Sequence, residues 1–488
     1  MQKIFKGSEV KRLDELHQSQ SGQSSAELME RAASIFVEWF LEKKFDPSAQ
    51  VLIACGAGNN GGDGFAIARL LKKNQLNVAV LHCFSSIEQL SKDALTNWNS
   101  LSDEISIFQL QDDFPKSGIL IDAFLGVGIE GELRESARKV ILSLCEFDGK
   151  VISVDIPSGL HPDKIKTGLT IEADYTISFE FPKLALLLPE NVEAVGELVI
   201  LKIGILNCSY DQIDTDYYFL ESTDIPSLHR SFNRFSHKGD FGKVLLVGGS
   251  PGKMGALILC TKSALRTGSG LVSSHMEESE HYIIQTAVPE AMATWGVIAD
   301  PQYYDAIGIG PGWGQDNRDR LMRQLLQDFQ KPVVIDADGL NLLARHKDLF
   351  DIVPPNSILT PHVGEFARLV GESKDHLDRL AKAKKFAISE QVILVLKGAN
   401  TCISLPDGKQ IFNSSGTPYM ATGGSGDVLT GMITSFLGQG YSPENAALCG
   451  VFHHGLAGEI ASRSKLRSMI ANDIIDAISS TYLELGIE

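Results

Sequence analysis

Val51-Leu52-Ile53-Ala54-Cys55, continuing into Gly56-Ala57-Gly58-Asn59-Asn60-Gly61-Gly62-Asp63-Gly64, decides the fold of the first half of this chain. Five apolar residues in a row predict a buried strand, the glycines a tight strand-to-helix turn, and Phe65–Lys73 the helix that follows. This is the opening of a β-α-β unit. The loop formally contains G-x-G-x-x-G, but an ordinary dinucleotide fold carries an acid about 20 positions further on, at the end of its second strand. Here that strand ends in Leu81-His82-Cys83. Asp63 is expected in the first helical turn, where its charge suits the helix dipole and would repel a docked pyrophosphate. Asn59 and Asn60 add side-chain carbonyls suited to cation coordination or hydroxyl recognition.

The same alternation of short apolar runs and helix-length segments extends outward over most of the chain, the pattern of parallel sheets covered by helices. In the first half it predicts a long helix over Ser25–Lys43 and strands at Val51–Cys55, Val78–His82, Ile119–Asp122, Val151–Asp155 and Tyr175–Phe179. The second half reads as strands at Val244–Gly248, Ala306–Gly310, Val333–Asp336, Ser357–Thr360 and Val392–Lys397. A hairpin follows, Thr401–Leu405 and Lys409–Asn413 about a Pro-Asp-Gly turn, and then a fully helical C-terminus from Gly426 to Leu485. Two tandem α/β domains result, with the join placed between 217 and 218.

Composition bounds the function. The chain has 488 residues, 44 Lys and Arg against 61 Asp and Glu, and a net charge of −17, which argues against a nucleic-acid coat. Seven scattered cysteines with no C-x-x-C spacing read as reduced thiols. Met1–Leu13 lacks the apolar core of a signal peptide, and no apolar run approaches the roughly 18–20 residues of a membrane span. The expectation is a cytoplasmic protein without nucleic-acid or membrane partners.

Two more strand ends converge on the first loop. Asp122 precedes Ala123-Phe124-Leu125-Gly126-Val127-Gly128, and Asp155 precedes Ile156-Pro157-Ser158-Gly159. In an open parallel sheet, ligands bind outside the carboxyl ends of the strands, so both acids should face the crevice of the 56–64 loop. Each alone would read as a helix N-cap.

G-A-G-N-N-G-G-D-G, D-A-F-L-G and V-D-I-P-S-G-L together resemble the epimerase domain of the NAD(P)H-hydrate repair proteins, a Rossmann-like three-layer fold. The resemblance implies interconversion of the R and S forms of hydrated NADH and NADPH, with a potassium ion held by Asn60, Asp122 and Ser158. It also implies substrate binding by Asn59, Asn60, Gly61, Gly62 and Asp63, by Gly126, Val127, Gly128, Ile129, Glu130, Gly131 and Glu132, and by Asp155. Asp155 is a carboxylate able to exchange a proton as the hydrate's C6 centre opens and recloses. Val127 departs from the family, many of whose members carry Thr between these glycines.

In the second half, Thr422-Gly423-Gly424-Ser425-Gly426-Asp427 opens a helix. Backbone N–H groups at a helix start form an anion hole, and an acid just beyond it suits taking a proton from a hydroxyl as a phosphoryl group arrives. Lys397-Gly398-Ala399-Asn400-Thr401 ends a buried strand with a lysine and small residues. Thr360-Pro361-His362-Val363-Gly364-Glu365 and Ile335-Asp336-Ala337-Asp338 end two others. A Walker loop is absent.

H-K-G-D-F-G-K, T-P-H-V-G-E, K-G-A-N-T and G-G-S-G-D-V-L-T-G, in that order, resemble the ribokinase-like dehydratase domain of the same family. That resemblance implies phosphorylation of the hydrate hydroxyl by ADP or ATP, with magnesium, followed by loss of phosphate. It assigns Asp427 as the base, and Ala256, Gly312 and His362 with Asp427 to the hydrate. The nucleotide falls to Lys397, Gly398, Ala399, Asn400, Thr401, Thr417, Gly423, Gly424, Ser425 and Gly426. Ser425 and Ala399 stand where Thr is commoner. Two rivals share these residues: a small-molecule kinase of the ribokinase type with a regulatory or ligand-binding first domain, and a first domain that is a non-catalytic interaction module. A homo-oligomer is expected, with Ser25–Lys43 as a candidate subunit contact. His453-His454 reads as a helix-packing pair, since no further ligand completes a metal set.

Overall fold

The computed structural model describes residues 1–129, 131–314 and 316–487. The chain divides into two compact units, Lys3–Thr215 and Asp216–Glu488 together with Met1–Gln2.

In the first unit, α1 (Gly7–Ser21) and α2 (Ser25–Glu42) precede β1 (Val51–Cys55), α3 (Asn59–Lys73), β2 (Val78–His82), β3 (Ser106–Gln109) and β4 (Ser117–Ala123). Next come α4 (Glu135–Leu144), β5 (Asp148–Val154), β6 (Tyr175–Phe179) and β7 (Glu197–Leu201). The strands form a seven-stranded parallel sheet in the order β3-β2-β1-β4-β5-β6-β7. Alternate residues serve opposite faces: Val51, Ile53 and Cys55 pack with Phe36 and Phe65 of α2 and α3, while Leu52 and Ala54 pack with Val140 and Ile141 of α4. The strand order reverses between β1 and β4, so the loops after these two strands flank the crevice where such sheets bind ligands.

Helix α2 starts on a capping box, Ser24 Oγ accepting from Glu27 N at 3.3 Å and Glu27 Oε2 accepting from Ser24 N at 2.7 Å. Its apolar face, Leu28 to Phe40, is buried in its own unit, so the expected subunit contact along this helix is not supported. Helix α3 corrects a second expectation. It begins at Asn59 rather than Phe65, which puts Asp63 in the second turn instead of the first. The glycines that lower helix propensity here are required by close contacts: a Cβ at Gly61 would lie 1.9 Å from Gly56 O.

The second unit contains β8 (Tyr217–Leu220), β9 (Lys243–Val247), α5 (Met254–Arg266), β10 (Leu271–His275), β11 (Met292–Thr294), β12 (Ala306–Ile309), β13 (Val334–Ile335) and α6 (Ala337–Arg345). There follow β14 (Ile358–Leu359), α7 (Val363–Val370), β15 (Ile393–Leu396), β16 (Cys402–Ser404), β17 (Gln410–Asn413), α8 (Ser425–Gly438), α9 (Pro443–Lys465) and α10 (Ala471–Glu484). The sheet runs β8-β17-β16-β15-β14-β13-β12-β9-β10-β11, parallel except where the predicted hairpin makes β16 antiparallel to both neighbours. Leu246 and Val244 pack under α5, α8 and α9, and Leu245 and Val247 under α6 and α7. The C-terminus is not one helical run: turns at 439–442 and 466–470 separate α8, α9 and α10. The strands β3, β7, β8, β10 and β11 and the helix α1 lie outside the sequence expectation. Among the described residues no helix is long and apolar enough to cross a membrane.

Candidate active sites

At the carboxyl edge of the first sheet lies a cleft of about 1430 Å³. Asn59, Asn60, Asp63, Gly126, Val127, Gly128, Ile129, Glu132 and Asp155 line it. Gly61 and Gly62 are buried beneath, Gly131 is exposed outside the lining, and Glu130 lies outside the described residues.

Under the cleft floor, Asn60, Asp122 and Ser158 meet around Leu125. Asn60 Nδ2 donates to Leu125 O at 3.1 Å, and Leu125 N donates to Ser158 Oγ at 2.8 Å. Asp122, fully buried at the end of β4, accepts from Ser158 Oγ at 2.6 Å, Ser158 N at 2.9 Å and Ser153 Oγ at 2.9 Å. Burial pushes its carboxyl up despite these donors. Asn60 Oδ1 is buried with no partner. An orphaned carbonyl oxygen beside a buried carboxylate and a hydroxyl is a donor set suited to a hard monovalent cation.

Asp155 follows β5 with φ at +66°, a costly conformation for a residue with a side chain. It is locked there by Asp155 N donating to Ile177 O at 2.7 Å and by an ion pair with Lys183, which is 1% exposed. Lys183 Nζ also donates to Ser178 Oγ at 3.1 Å. Asp63 is held well above the usual carboxylate range, first by burial and then by the charges of Asp155 and Asp14. Lys183 and Asp14 are site residues that the sequence reading missed. A charged pair, Glu180 and Lys183, inside the apolar run Phe179-Glu180-Phe181-Pro182-Lys183-Leu184-Ala185 is the one local signal for Lys183, and the sequence reading passed over it. No local pattern marks Asp14.

In the second unit the centre is Asp336, 1% exposed at the end of β13. Its carboxylate accepts from Lys397 Nζ at 2.8 Å, Thr430 Oγ1 at 2.6 Å and Ala337 N at 2.8 Å. Lys397 is also 3.9 Å from Glu365. Asp427 stands in the first turn of α8, pushed up to about 7 by burial and then by the charge of Asp336, with Lys397 opposing and Glu365 and Asp338 adding. A Cβ at Gly426 would lie 3.4 Å from Lys397 Nζ, so the glycine loop and the 397–401 loop meet here. Gly424 caps α8 with φ at +90°, and a Cβ there would strike Leu259 Cδ1 at 2.4 Å.

Around this centre, His362 caps α7, its Nδ1 accepting from Gly364 N at 3.0 Å, while Glu365 Oε2 accepts from His362 N at 2.9 Å. Gly312 and Ala256 adjoin, a Cβ on the former lying 3.0 Å from the latter's. Nearby Lys253 is 3.7 Å from Asp338, whose Oδ2 accepts from Gly314 N at 2.8 Å. Thr401 Oγ1 donates to Gly398 O at 3.0 Å and closes its loop on itself. Thr417 precedes a short turn, Pro418–Met420, and no described contact brings it to Asp427. Ser425 Oγ lies 3.2 Å from His454 Nε2. Thr430, Asp336 and His454 are further residues of this centre; His454 had been read as packing only.

Residues 25–185 match the family model described as YjeF-related protein N-terminus, and residues 244–480 the model of NAD(P)H-hydrate dehydratase. The bifunctional NAD(P)H-hydrate repair enzyme Nnr of Moorella thermoacetica is 34% identical over 97% of this chain and 95% of its own. That of Escherichia coli is 35% identical over 88% and 84%. The structure of the ADP/ATP-dependent NAD(P)H-hydrate dehydratase from Bacillus subtilis, co-crystallised with ATP and Mg2+, is 29% identical with a TM-score of 0.51, covering 55% of this chain and 98% of its own. A ribokinase-like superfamily protein from Enterococcus faecalis gives 26% and 0.51 over 56% and 98%. The second unit accordingly has the ribokinase-like fold. This chain belongs to the family of bifunctional NAD(P)H-hydrate repair enzymes.

Proposed function

We infer that this chain repairs hydrated NADH and NADPH. The epimerase domain, assigned to 1–217 and containing the first unit's cleft, interconverts the R and S hydrates. The second, assigned as the dehydratase domain 218–488, returns the S hydrate to NAD(P)H with ADP or ATP. The observation that carries this reading is Asp427 at the mouth of the α8 glycine loop, held near neutrality beside the Lys397–Asp336 pair.

The N–H groups of the Gly423–Gly426 loop receive the transferring phosphoryl group, and Lys397 with the 398–401 loop and Thr417 holds the nucleotide. Asp427 takes the proton of the hydrate hydroxyl as its oxygen bonds to the terminal phosphorus and the bond from that phosphorus to the nucleotide's bridging oxygen breaks, releasing AMP from ADP or ADP from ATP. The C6–oxygen bond then breaks with phosphate leaving, and loss of a proton from C5 restores the dihydronicotinamide. Ala256, Gly312 and His362 hold the hydrate. Magnesium accompanies the nucleotide, and we assign it no protein ligand. In the first unit Asn60, Asp122 and Ser158 would hold potassium, which supplies a fixed positive charge beneath the substrate. Asp155 and the 59–63 and 126–132 loops bind the hydrate. A cytoplasmic homo-oligomer completes the proposal.

The test is absorbance recovery at the reduced-nicotinamide wavelength from mixed R and S hydrate with potassium and either ADP or ATP. Full recovery by wild type and none by Asp427→Asn is expected. A stable phosphorylated product without recovered absorbance would replace this reading with a small-molecule kinase.

A further inference from the structure

Epimerising a carbon that carries both a hydroxyl and a ring nitrogen moves two protons. As the C6–N1 bond breaks, the hydroxyl oxygen loses its proton and becomes a carbonyl, while N1 takes the bonding pair and needs a proton. Rotation about C5–C6 and the reverse steps then close the ring on the other face. Asp155, ion-paired with buried Lys183, is a carboxylate suited to the oxygen side. A second group suits the nitrogen, because Asp155 Oδ1 is already engaged by Lys183 and by Phe179 N, which leaves one oxygen for the hydroxyl.

The geometry points to Asp14 as that second proton-exchanging group, working with Asp155 in the first cleft. This rests on the epimerase reading above. Asp14 lines the same cleft as Asp155 and Lys183. Its helix is fixed at both ends. Gly7 N donates to both Asp163 oxygens at 3.2 and 3.1 Å, and a Cβ at Gly7 would strike Pro162 Cγ at 2.3 Å. Further along, Leu206 N donates to His17 Nδ1 at 3.2 Å and Ser209 Oγ to Gln20 Oε1 at 2.6 Å. Leu13 and His17 are buried, which turns the intervening Asp14 to the cleft wall. No protein donor engages its carboxyl among the described residues, so it is left to a ligand.

The surrounding charges support the role. Burial pushes the Asp14 carboxyl up to about 7, with Asp155 and Glu15 adding and Lys183 opposing. Asp63 faces it from α3, and Lys11 lines the cleft one turn earlier on α1. A carboxyl protonated up to about pH 7 can give its proton to nitrogen on opening and take it back on closure.

The experiment follows exchange between R and S hydrates by proton NMR in wild type, Asp14→Asn, Asp14→Glu and Asp63→Asn, with the dehydratase rate and thermal midpoint measured alongside. Wild-type exchange should decline above about pH 7. Asp14→Asn should lose roughly 10²-fold or more of the exchange rate together with that decline, at unchanged dehydratase rate and with a thermal midpoint no lower than wild type. Asp14→Glu should recover part of the rate. Wild-type exchange in Asp14→Asn, or loss of the decline in Asp63→Asn alone, overturns the assignment. If Asp14→Asn melts early, Asp14→Glu decides: an unmoved decline with full activity overturns it, and a shifted decline supports it. A wild type that exchanges nothing sinks the epimerase reading itself, a result distinguishable from a failure of Asp14.

Discussion

Lys397 Nζ lies 2.8 Å from Asp336 Oδ1, so the lysine at the glycine loop is committed to Asp336 and not to Asp427. Thr430 Oγ1 and Ala337 N complete the shell of Asp336. Its charge then acts on Asp427, which burial has already made reluctant to ionise. The ion pair and the base are one electrostatic unit.

The base works only when ionised, and its carboxyl sits at about 7. Dehydration should therefore rise with pH through about 7 and level off above it. Asp336→Asn removes a negative neighbour and frees Lys397 toward Asp427, so it should move this rise to lower pH. Rate against pH for dehydration of pure S hydrate measures the shift; an unmoved rise would break the link between the pair and the base.

Stability carries the opposite sign. A carboxyl ordinarily near 3.8 and raised to about 7 by folding opposes folding once pH exceeds the unfolded value, and the cost grows until the folded value is passed. Asp427→Asn should leave the thermal midpoint unchanged below about pH 4. It should gain on the order of 1–3 kcal/mol above pH 7, while activity is lost. Calorimetry at both ends of that range checks it. A midpoint lowered at pH 8 would mean that Asp427 holds the fold together.

Ser158 does two things at once, donating to Asp122 at 2.6 Å and accepting from Leu125 N at 2.8 Å. Ser158→Ala leaves the part-buried Leu125 N–H without its acceptor and removes a donor from a buried carboxylate, a loss of about 1–3 kcal/mol. It should lower the unfolding free energy of the first unit and raise the potassium concentration needed for half-maximal epimer exchange. Dehydration of the S hydrate should be unaffected. Exchange that is indifferent to potassium in wild type would remove the ion from the site.

Much of both sites was legible because strand ends announce themselves: an apolar run, then glycines with Asn or Asp. That is how Asn60, Asp122, Asp155, Lys397 and Asp427 were found. Lys183 was not, because its partner is 28 positions away and only the fold brings them together. Asp14 was hidden on a helix that is largely polar and whose placement depends on Asp163 and the 206–209 segment. The strand predicted over Val333–Asp336 shrinks to Val334–Ile335 because Asp336 turns back to cap α6. The start of α3 was placed six residues late because glycine propensity argued against a helix that close backbone contacts impose.

The doublet His453-His454 divides between two tasks, and the buried member carries the last prediction. Thr481 Oγ1 donates to Ile478 O at 2.6 Å, so it must accept from His453 Nδ1 at 2.5 Å. His453 Nε2 is then bare and accepts from His229 Nε2 at 2.9 Å. His229 Nδ1 in turn accepts from the Tyr441 hydroxyl at 2.9 Å. This chain has a consistent set of donors with both rings neutral; a proton added at His453 Nε2 faces the His229 Nε2–H, and one added at His229 Nδ1 faces the Tyr441 hydroxyl hydrogen. Burial accordingly lowers His229 to about 4 and His453 to about 3. Histidine is ordinarily near 6.5, so the unfolded chain takes up protons first, and stability should fall as pH drops below about 6.5. Replacing the pair, His229→Gln with His453→Gln, should flatten the dependence of the unfolding midpoint on pH between about 6.5 and 4. A double variant whose midpoint falls with acid as steeply as wild type would show that other groups govern acid sensitivity.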